Sequence, residues 1–471
     1  MNRMQVEVRL PGEKRRQARQ RRREQPSEVF APEVELQAHL ETLPGPRRSL
    51  GMGRSGRVGV PAIRVSTKRL GHAIPFVAPT GTGARGAFIG DVEGGGRAYL
   101  DPWECFNQGW VSGNSTVVFG HVGQGKSATI KKWALGLYDL GRRVGVSSDP
   151  KSEWTKAAQV VPGAQCLRIG PGEAHVVNCM DAGARPTGMS TVEWDSLAFA
   201  RRVEMTQSVM AALTNTGGLE DIHWFVIDEA VRYSSSQRVP VLPHVLDYLD
   251  RELPKATDSE LRAAMTRLRY PLLRLLTGHY GSMFNGPSTV RLDENSRMVV
   301  FDTSALRGRD PAVVAATSMI TSTWLDQIVR AQQGQFWMLV DEEGWAALRS
   351  ARTVANRDER QRLAGEDGTA PVLIMHSIKD LEMVGLPDSP ERNQARGLLA
   401  KAQIKIIHRP VNDDLPLLRE SLDLTASECA AIQELVPGQA LWKIGSRSMV
   451  ITTRITRAEW EVIETNENRA G

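Results

Sequence analysis

Eight consecutive residues, Gly120 to Ser127, have the types and spacing needed to bind a chain of phosphates. They read Gly-His-Val-Gly-Gln-Gly-Lys-Ser and match the pattern G-x-x-x-x-G-K-[ST] at every fixed position. Glycines let the backbone curl until its N–H groups point inward at a helix N-terminus, which favours an anion. Lys126 would add a positive charge for the β- and γ-phosphates, and Ser127 a hydroxyl for Mg²⁺. The predicted nucleotide-binding residues are Gly120, Gly123, Gln124, Gly125, Lys126, Ser127 and Ala128.

The sequence on either side predicts the elements that must position this loop. Residues 115–119 are a short apolar, β-branched run, which indicates a strand. Residues 126–140 carry apolar side chains at helical spacing, and Gly141 follows where a left-handed C-cap is expected. Strand, loop and helix therefore come in the order that a phosphate-binding loop requires. That order favours such a loop over the alternative, a glycine-rich turn that contains a lysine by chance.

Hydrolysis of a bound nucleotide would need a carboxylate near Mg²⁺ and an adjacent glutamate to polarise the attacking water, both at the end of an apolar strand. Two Asp-Glu pairs compete for these roles. The pair Asp228-Glu229 lies at the more usual distance from the loop, about a hundred residues past Lys126. Apolar residues around it recur at helical spacing, however, which is typical of a surface or capping pair on a helix.

The second pair, Asp341-Glu342, directly follows the apolar run 336–340. The next apolar run ends at His376, a polar residue placed as a side chain that senses the γ-phosphate would be. Asp302 also ends an apolar run, but a threonine follows it where a glutamate would be needed. We therefore prefer Asp341-Glu342 as the functional pair.

Apolar strands that alternate with helices predict an α/β fold with a mostly parallel sheet covered on both faces. Strands are expected at residues 87–90, 97–100, 143–148, 165–169, 297–302, 336–340, 372–375, 404–407 and 441–453. The predicted division is a basic, largely disordered arm (1–75), a small β-rich lead-in (76–110), a first core part (111–185), an all-α insertion (186–288), a second core part (289–455) and a C-terminal tail (456–471).

The formal net charge of +5 is concentrated near the N-terminus, because seven lysines and arginines fall within residues 14–23. The rest of the chain is then close to neutral. A basic arm of this kind could contact nucleic acid, anionic lipid or an acidic partner, or it could be a solvated tail. The near-neutral body argues mildly against a protein that grips DNA along its whole length.

Composition excludes several other classes. Apolar runs reach only about six to ten residues, far short of the roughly 20 that cross a bilayer, and residues 1–10 lack the apolar region of a secretory signal. The four cysteines are scattered, which disfavours zinc sites and disulfides. A reducing cytoplasm is the compartment that this usage favours.

Taken in order, these pieces resemble the large ATPases of conjugative type IV secretion systems, within the superfamily that includes the HerA and FtsK DNA pumps. The resemblance runs from about residue 75 to 453, and its most specific parts are 120–127 and 340–345. Its other parts are 148–154, 177–178, the helical insertion, 300–302 and 375–381.

This resemblance implies a RecA-like P-loop NTPase core that works as a hexamer within a membrane-bound secretion or conjugation complex, at the cytoplasmic face of the membrane. ATP and Mg²⁺ would be its cofactors. By the family's pattern Lys126 binds phosphate, Ser127 and Asp341 hold Mg²⁺, Glu342 activates water and His376 senses the γ-phosphate. An arginine from a neighbouring subunit would complete the site. The candidates are Arg392, Arg396 and Arg409.

The sequence departs from the family at two places. Glutamine usually stands where this chain has His376, whose charge is expected to vary near neutral pH. The segment before the loop is also shorter than the family's usual N-terminal domain. The leading hypothesis is an ATP-hydrolysing motor that energises assembly or transport in a conjugation or secretion apparatus. The alternatives are a DNA-pumping translocase and a nucleotide-binding scaffold without turnover.

Overall fold

The computed structural model describes residues 81–464, apart from 84, 184, 186–187, 215–217, 291–292, 294, 333, 343–357, 359–360, 363, 366 and 380–388. The predicted basic arm, 1–75, lies outside the described residues, and so do residues 465–471 of the predicted tail. Parts of two segments that carry the family resemblance, 343–345 and 380–381, also lie outside them.

One eleven-stranded sheet organises the described part of the chain. Its strands are β1 (Ala87–Val92), β2 (Arg97–Leu100), β3 (Thr116–Phe119), β4 (Arg143–Asp149), β5 (Ala164–Arg168), β6 (Met298–Asp302), β7 (Trp337–Asp341), β8 (Thr369–Ile374), β9 (Ile404–Ile407), β10 (Gln439–Ile444) and β11 (Arg447–Thr453).

The spatial order of the strands is β2-β1-β11-β10-β9-β3-β8-β7-β4-β6-β5. The seven strands from β9 to β5 pair in parallel, whereas β2, β1, β11 and β10 form an antiparallel edge. The carboxyl ends of the parallel strands therefore meet at one edge of the sheet. This arrangement confirms the predicted α/β class with a mostly parallel sheet.

Two features of the antiparallel edge differ from the strand pattern expected from sequence. The run 441–453, predicted as one strand, is a hairpin in which β10 and β11 are joined at Gly445, whose φ is +57°. A side chain at Gly445 would also meet the Trp110 carbonyl at 2.1 Å. The strands of the predicted lead-in, 76–110, extend the core sheet itself, because β1 pairs with both β2 and β11.

Helices cover both faces of the sheet. They are α1 (Pro102–Asn107), α2 (Lys126–Asp139), α3 (Thr155–Val160), α4 (Thr191–Leu213), α5 (Asp221–Ser235), α6 (Leu242–Glu252), α7 (Ser259–Leu276), α8 (Gly281–Phe284), α9 (Pro311–Ala331), α10 (Pro390–Lys401), α11 (Leu415–Leu422), α12 (Ala426–Glu434) and α13 (Arg457–Ile463). The run from α4 to α8 connects β5 to β6, and its described residues form helices and connecting turns without a strand.

Three buried apolar clusters hold these layers together. One lies under α2, where Ile130 and Trp133 pack against alternate residues of the central strands such as Met338. A second joins α9 to the helical run between β5 and β6, and a third lies between β3, β9 and α10. Fully burying one large apolar side chain stabilises the fold by about 1.5–3 kcal/mol. Within the described ranges, no helix has the length and apolarity needed to cross a bilayer.

Candidate nucleotide-binding site

The predicted phosphate-binding loop joins the end of β3 to the start of α2, as its sequence requires. Gly120, Gly123 and Gly125 have φ values of +148°, +85° and +96°, in the region that side chains disfavour. Gly120 is also closely packed, because a Cβ there would lie 2.6 Å from the Cβ of His408. The loop thus depends on glycine both for its backbone conformation and for its fit against β9.

His408, the residue after β9, contacts β3 and the loop through its backbone and its side chain. Its backbone N–H donates to the Phe119 carbonyl at 2.8 Å, and its Nδ1 lies 3.0 Å from the Gln124 carbonyl oxygen. The ring is fully buried, and this burial lowers its pKa to about 3. A neutral ring at this position can hold the loop without placing another positive charge behind Lys126.

Lys126 is buried at the loop and donates from Nζ to two of its carbonyl oxygens, at 2.6 Å to Gly120 and 3.1 Å to His121. Burial lowers its pKa to about 8, and the nearby carboxylate of Glu342 acts in the opposite direction. The ammonium is therefore still largely protonated at neutral pH. Ser127, the next residue, is half-buried at the first turn of α2.

The sheet order brings the other predicted residues to the same edge. β8 lies beside β3, β7 beside β8, and β4 beside β7. His376 follows β8, Glu342 follows β7, and Asp149 ends β4, so all three lie near the carboxyl ends of neighbouring strands. The field of Lys126 lowers the pKa of His376, and the field of Glu342 raises that of Lys126. The three groups are thus close enough for the charge of Lys126 to act on His376 and for that of Glu342 to act on Lys126.

Glu342 is buried, and its Oε1 accepts a hydrogen bond from the Trp154 indole Nε1 at 3.1 Å. Burial raises its pKa to about 7, and the charge of Glu153 adds to that rise. The hydrogen bond from Trp154 acts in the opposite direction. A carboxyl group whose pKa lies near the ambient pH is suited to accept a proton and release it again.

The Asp341 carboxylate has a different setting. It accepts a hydrogen bond from the hydroxyl of Ser147 on β4 and borders the same cavity as Leu325 of α9. Glu342, by contrast, contacts Trp154, which packs in the cluster under α2. Asp341 and Glu342 are adjacent in sequence, but their hydrogen-bond partners differ: Ser147 borders the cavity beside α9, whereas Trp154 packs under α2.

His376 is partly buried, with its Nε2 at 3.4 Å from the Nζ of Lys151. Burial lowers its pKa to about 4, and the charges of Lys126 and Lys151 lower it further. The imidazole is therefore neutral at physiological pH. This differs from the expectation that its charge varies near neutrality, because the sequence shows neither the burial of the ring nor the two lysines whose charges act on it.

The segment that connects β4 to α3 places residues at the site that sequence reasoning did not single out individually. Both oxygens of Asp149 accept backbone hydrogen bonds, from Glu153 at 2.9 Å and from Trp154 at 2.7 Å. The carboxylate of Glu153 in turn pairs with the buried Lys131 at 3.6 Å. The only sequence signal was an acidic segment just past a strand end, a position that parallel α/β folds place near phosphates.

The competing pair Asp228-Glu229 lies within α5, in the helical setting predicted for it. Asp228 accepts a hydrogen bond from Gln207 at 2.7 Å, and Glu229 pairs with Arg232 on the surface of the same helix. Asp302, the other alternative, accepts a hydrogen bond from the Ser152 hydroxyl at 2.9 Å.

The three arginines proposed to act on a neighbouring subunit occupy two places. Arg392 and Arg396 belong to α10. The backbone carbonyl of Arg409 accepts a hydrogen bond from His121 in the loop at 3.0 Å, and its side chain is exposed. The backbone of Arg409 therefore lies beside the loop of its own chain.

Comparison with known proteins agrees with this geometry. No protein-family profile matches the chain. The structure is similar to VirB4 of Thermoanaerobacter pseudethanolicus, with a TM-score of 0.66 and 20% identity over 81% of this chain and 100% of that one. It is also similar to the bacterial conjugative coupling protein TrwB bound to a non-hydrolysable ATP analogue, with a TM-score of 0.52 and 14% identity over 74% of this chain and 87% of that one. The chain has the fold of VirB4 and TrwB.

That likeness confirms the predicted RecA-like P-loop core. An uncharacterised protein of Bacillus anthracis is 22% identical over an alignment of 434 positions that covers 81% of this chain and 65% of that protein. The chain thus spans slightly less than two thirds of the length of this relative.

Proposed function

We propose that the protein is an ATP-hydrolysing motor of a conjugative transfer or type IV secretion apparatus. The observation that carries the proposal is the position of Lys126 and of the buried Glu342, which follow β3 and β7 at the same carboxyl edge of the parallel sheet, with only β8 between these strands. A phosphate-binding cation and a buried carboxyl group near the same cleft are the two protein groups that hydrolysis of a terminal phosphate most needs.

Each group has a separate task in this proposal. The ammonium of Lys126 exchanges its hydrogen bonds to the Gly120 and His121 carbonyls for bonds to phosphate oxygens. Glu342 orients the attacking water and accepts its proton, and Trp154 holds the carboxylate in place through its indole N–H. His376, neutral at physiological pH, offers a hydrogen bond to the terminal phosphate without adding charge.

The residues fit Mg²⁺ by the chemistry of their donors, since the Ser127 hydroxyl and the Asp341 carboxylate are the hard oxygen ligands that this ion prefers. The ion would neutralise charge that develops on the phosphates. Asp341 would have to give up or share its hydrogen bond with Ser147 to contribute. TrwB has been solved with ADP and Mg²⁺, which supports a nucleotide and Mg²⁺ as the cofactors of this chain.

Assembly follows from the family that the sequence resembles. A hexamer, other subunits of a membrane-bound secretion complex and a peripheral position at the inner face of the membrane form part of the proposal. Direct contact with DNA is supported more weakly, because the charge of the chain apart from residues 14–23 is close to neutral. TrwB is described as a conjugative coupling protein, which supports a role in conjugation.

The test is steady-state ATP hydrolysis by the wild type, Lys126→Ala and Glu342→Gln, each with and without DNA. Lys126→Ala should lose nucleotide binding and turnover. Glu342→Gln should bind ATP but turn it over at least a hundredfold more slowly. Lys255→Ala, which removes a surface lysine paired only with a neighbouring glutamate in its own helical segment, is the matched control.

Three outcomes would change the proposal. A wild type that binds ATP without hydrolysing it would identify a nucleotide-binding scaffold. Strong stimulation by DNA would favour a translocase that grips the duplex. Full activity of Glu342→Gln would contradict the assignment of the water-activating residue.

A further inference from the structure

Lys151, in the turn after β4, approaches the candidate site. Its Nζ is 3.4 Å from the Nε2 of His376, although the two residues belong to different strand ends. β4 is the third strand from β3 in the sheet, beyond β8 and β7. Lys151 therefore reaches the site from the side opposite the phosphate-binding loop.

The turn that carries Lys151 is held in an unusual conformation. Ser152 has a φ of +55° and is one of two non-glycine residues with positive φ in the described part of the chain. Such a conformation costs free energy and persists only where surrounding bonds enforce it. Here the Ser152 hydroxyl donates to Asp302 at 2.9 Å and lies 2.7 Å from the hydroxyl oxygen of Thr155.

The following residues fix the turn from its other side. The Asp149 carboxylate accepts both backbone N–H groups that follow the turn, those of Glu153 and Trp154. The Lys131–Glu153 ion pair ties the same segment to α2. The backbone position of Lys151 is thus fixed by bonds from the residues before and after it, even though its side chain is exposed.

Positive charge accumulates where Lys151 meets the site. The charges of Lys126 and Lys151 both lower the pKa of His376, and Lys151 also lowers that of Lys126. The carboxylates oppose this effect only in part: Glu342 raises the pKa of Lys126, and Glu153 raises that of His376. The Nδ1 of His376 is buried without a hydrogen-bond partner among the described residues. The positive charges of Lys126 and Lys151 repel each other, and a bound anion would relieve that repulsion.

We propose that Lys151 is a second cationic ligand for the terminal phosphate of a bound nucleoside triphosphate. The loop around Lys126 surrounds the inner phosphates, and Lys151, reaching in beside His376 from β4, contacts the phosphate that only a triphosphate has. Lys151 acts as a point charge and transfers no proton. This inference rests on the proposed nucleotide site and adds a specificity to it: Lys151 makes the site prefer ATP to ADP.

Equilibrium binding of ATP and ADP to the wild type and to Lys151→Met tests the proposal. Met keeps the length of the side chain and removes its charge. ATP affinity should fall at least tenfold and ADP affinity less than twofold, since only the triphosphate loses a contact. Lys151→Arg should restore most of the preference for ATP, and Lys255→Met, a matched surface change, should leave both affinities unaltered.

A second measurement uses the unaltered protein, so it does not depend on the folding of a variant. Acylation of lysines, followed by mass spectrometry of the peptides, should show Lys151 protected by ATP and a non-hydrolysable analogue but not by ADP. Lys126 should be protected by all three nucleotides. Lys255 should react equally in every case.

The results separate this inference from the proposed function. Equal losses of ATP and ADP affinity in Lys151→Met, or no loss, would overturn the role of Lys151 while leaving the nucleotide site intact. Equal protection of Lys151 by ATP and ADP would do the same. A wild type that binds neither nucleotide would overturn the proposed function itself.

Discussion

The indole Nε1 of Trp154 donates a hydrogen bond to Oε1 of Glu342 over 3.1 Å, joining two residues 188 positions apart in the sequence. Both side chains are buried, Trp154 completely. The bond favours the charged form of a carboxyl group whose pKa burial raises to about 7. The hydrogen bond from Trp154 therefore increases the fraction of Glu342 that is present as carboxylate and can take a proton.

Trp154→Phe should lower kcat/KM for ATP at pH 7, by about threefold to tenfold. Phe keeps the ring in the core but cannot donate, so the pKa of Glu342 rises and less carboxylate is present at pH 7. Activity that needs deprotonated Glu342 increases as the pH rises through the pKa of this residue. The difference in kcat/KM between Trp154→Phe and the wild type should therefore be smaller at pH 8.5. The measurement is the pH profile of kcat/KM, which reports ionisations of the free enzyme.

Trp133→Phe is the matched control for this variant. The Trp133 indole is also fully buried, and it donates to the Leu100 carbonyl at 3.0 Å. Loss of this hydrogen bond in Trp133→Phe should lower the melting temperature of the protein but leave the pH profile of kcat/KM unchanged. An unchanged profile in Trp154→Phe would show that this hydrogen bond does not tune Glu342.

His376→Gln should keep ATP turnover within about threefold of the wild type. The imidazole is neutral because burial and two lysines lower its pKa to about 4, and glutamine is also a neutral hydrogen-bonding group. The histidine gains charge only as pH falls through about 4, so wild-type and variant pH profiles should superimpose above pH 5.5. His376→Ala, which lacks the donor, should lose at least tenfold. A step near pH 6.5 that His376→Gln abolishes would contradict this assignment.

Local patterns were enough to predict the loop and the strands that lead to the site. Residues 117–119 are an apolar run followed by the glycine-rich loop, and residues 337–340 are one followed by Asp341 and Glu342. These runs form most of β3 and β7, which end at the edge of the sheet that carries the site. A parallel sheet collects such ends in one place, so the placement of Glu342 near Lys126 follows once the class of fold is predicted.

Pairing between distant segments was not predictable in the same way. The hairpin at Gly445 is encoded by one glycine within a run that is otherwise compatible with a continuous strand. Ser152 carries no signal for its positive φ, which depends on Asp302 from another strand. The roles of Lys151 and Trp154 likewise depend on residues more than 180 positions away.

Asp228→Asn combined with Glu229→Gln should leave ATP turnover within about twofold of the wild type. Both acids lie on α5. Asp228 accepts a hydrogen bond from Gln207, and Glu229 pairs with the surface residue Arg232. Loss of a surface ion pair and one hydrogen bond costs at most about 1–2 kcal/mol of folding free energy. The measurement is the rate of ATP turnover of the double variant and of Glu342→Gln, each compared with the wild type. Loss of turnover in the double variant, with retention in Glu342→Gln, would transfer the catalytic role to α5.

Two helical glycines should respond in opposite ways to alanine. At Gly136 in α2, a Cβ would lie 2.8 Å from the Cβ of Ala87 on β1, so alanine must push β1 away from the helix. Overpacking of this kind costs about 1–3 kcal/mol and should outweigh the gain in helix propensity. At Gly397 in α10, a Cβ would have nothing within 4 Å. Alanine there should stabilise the fold by about 0.5–1 kcal/mol, because it reduces the backbone entropy lost on folding.

Thermal or urea unfolding of Gly136→Ala and Gly397→Ala measures both effects against the wild type. The first variant should melt at a lower temperature and the second at a higher one. A stabilised Gly136→Ala would mean that β1 does not pack on α2 as closely as 2.8 Å requires. It would also weaken the conclusion that residues 87–100 belong to the core sheet, because β1 is the strand that joins them to it.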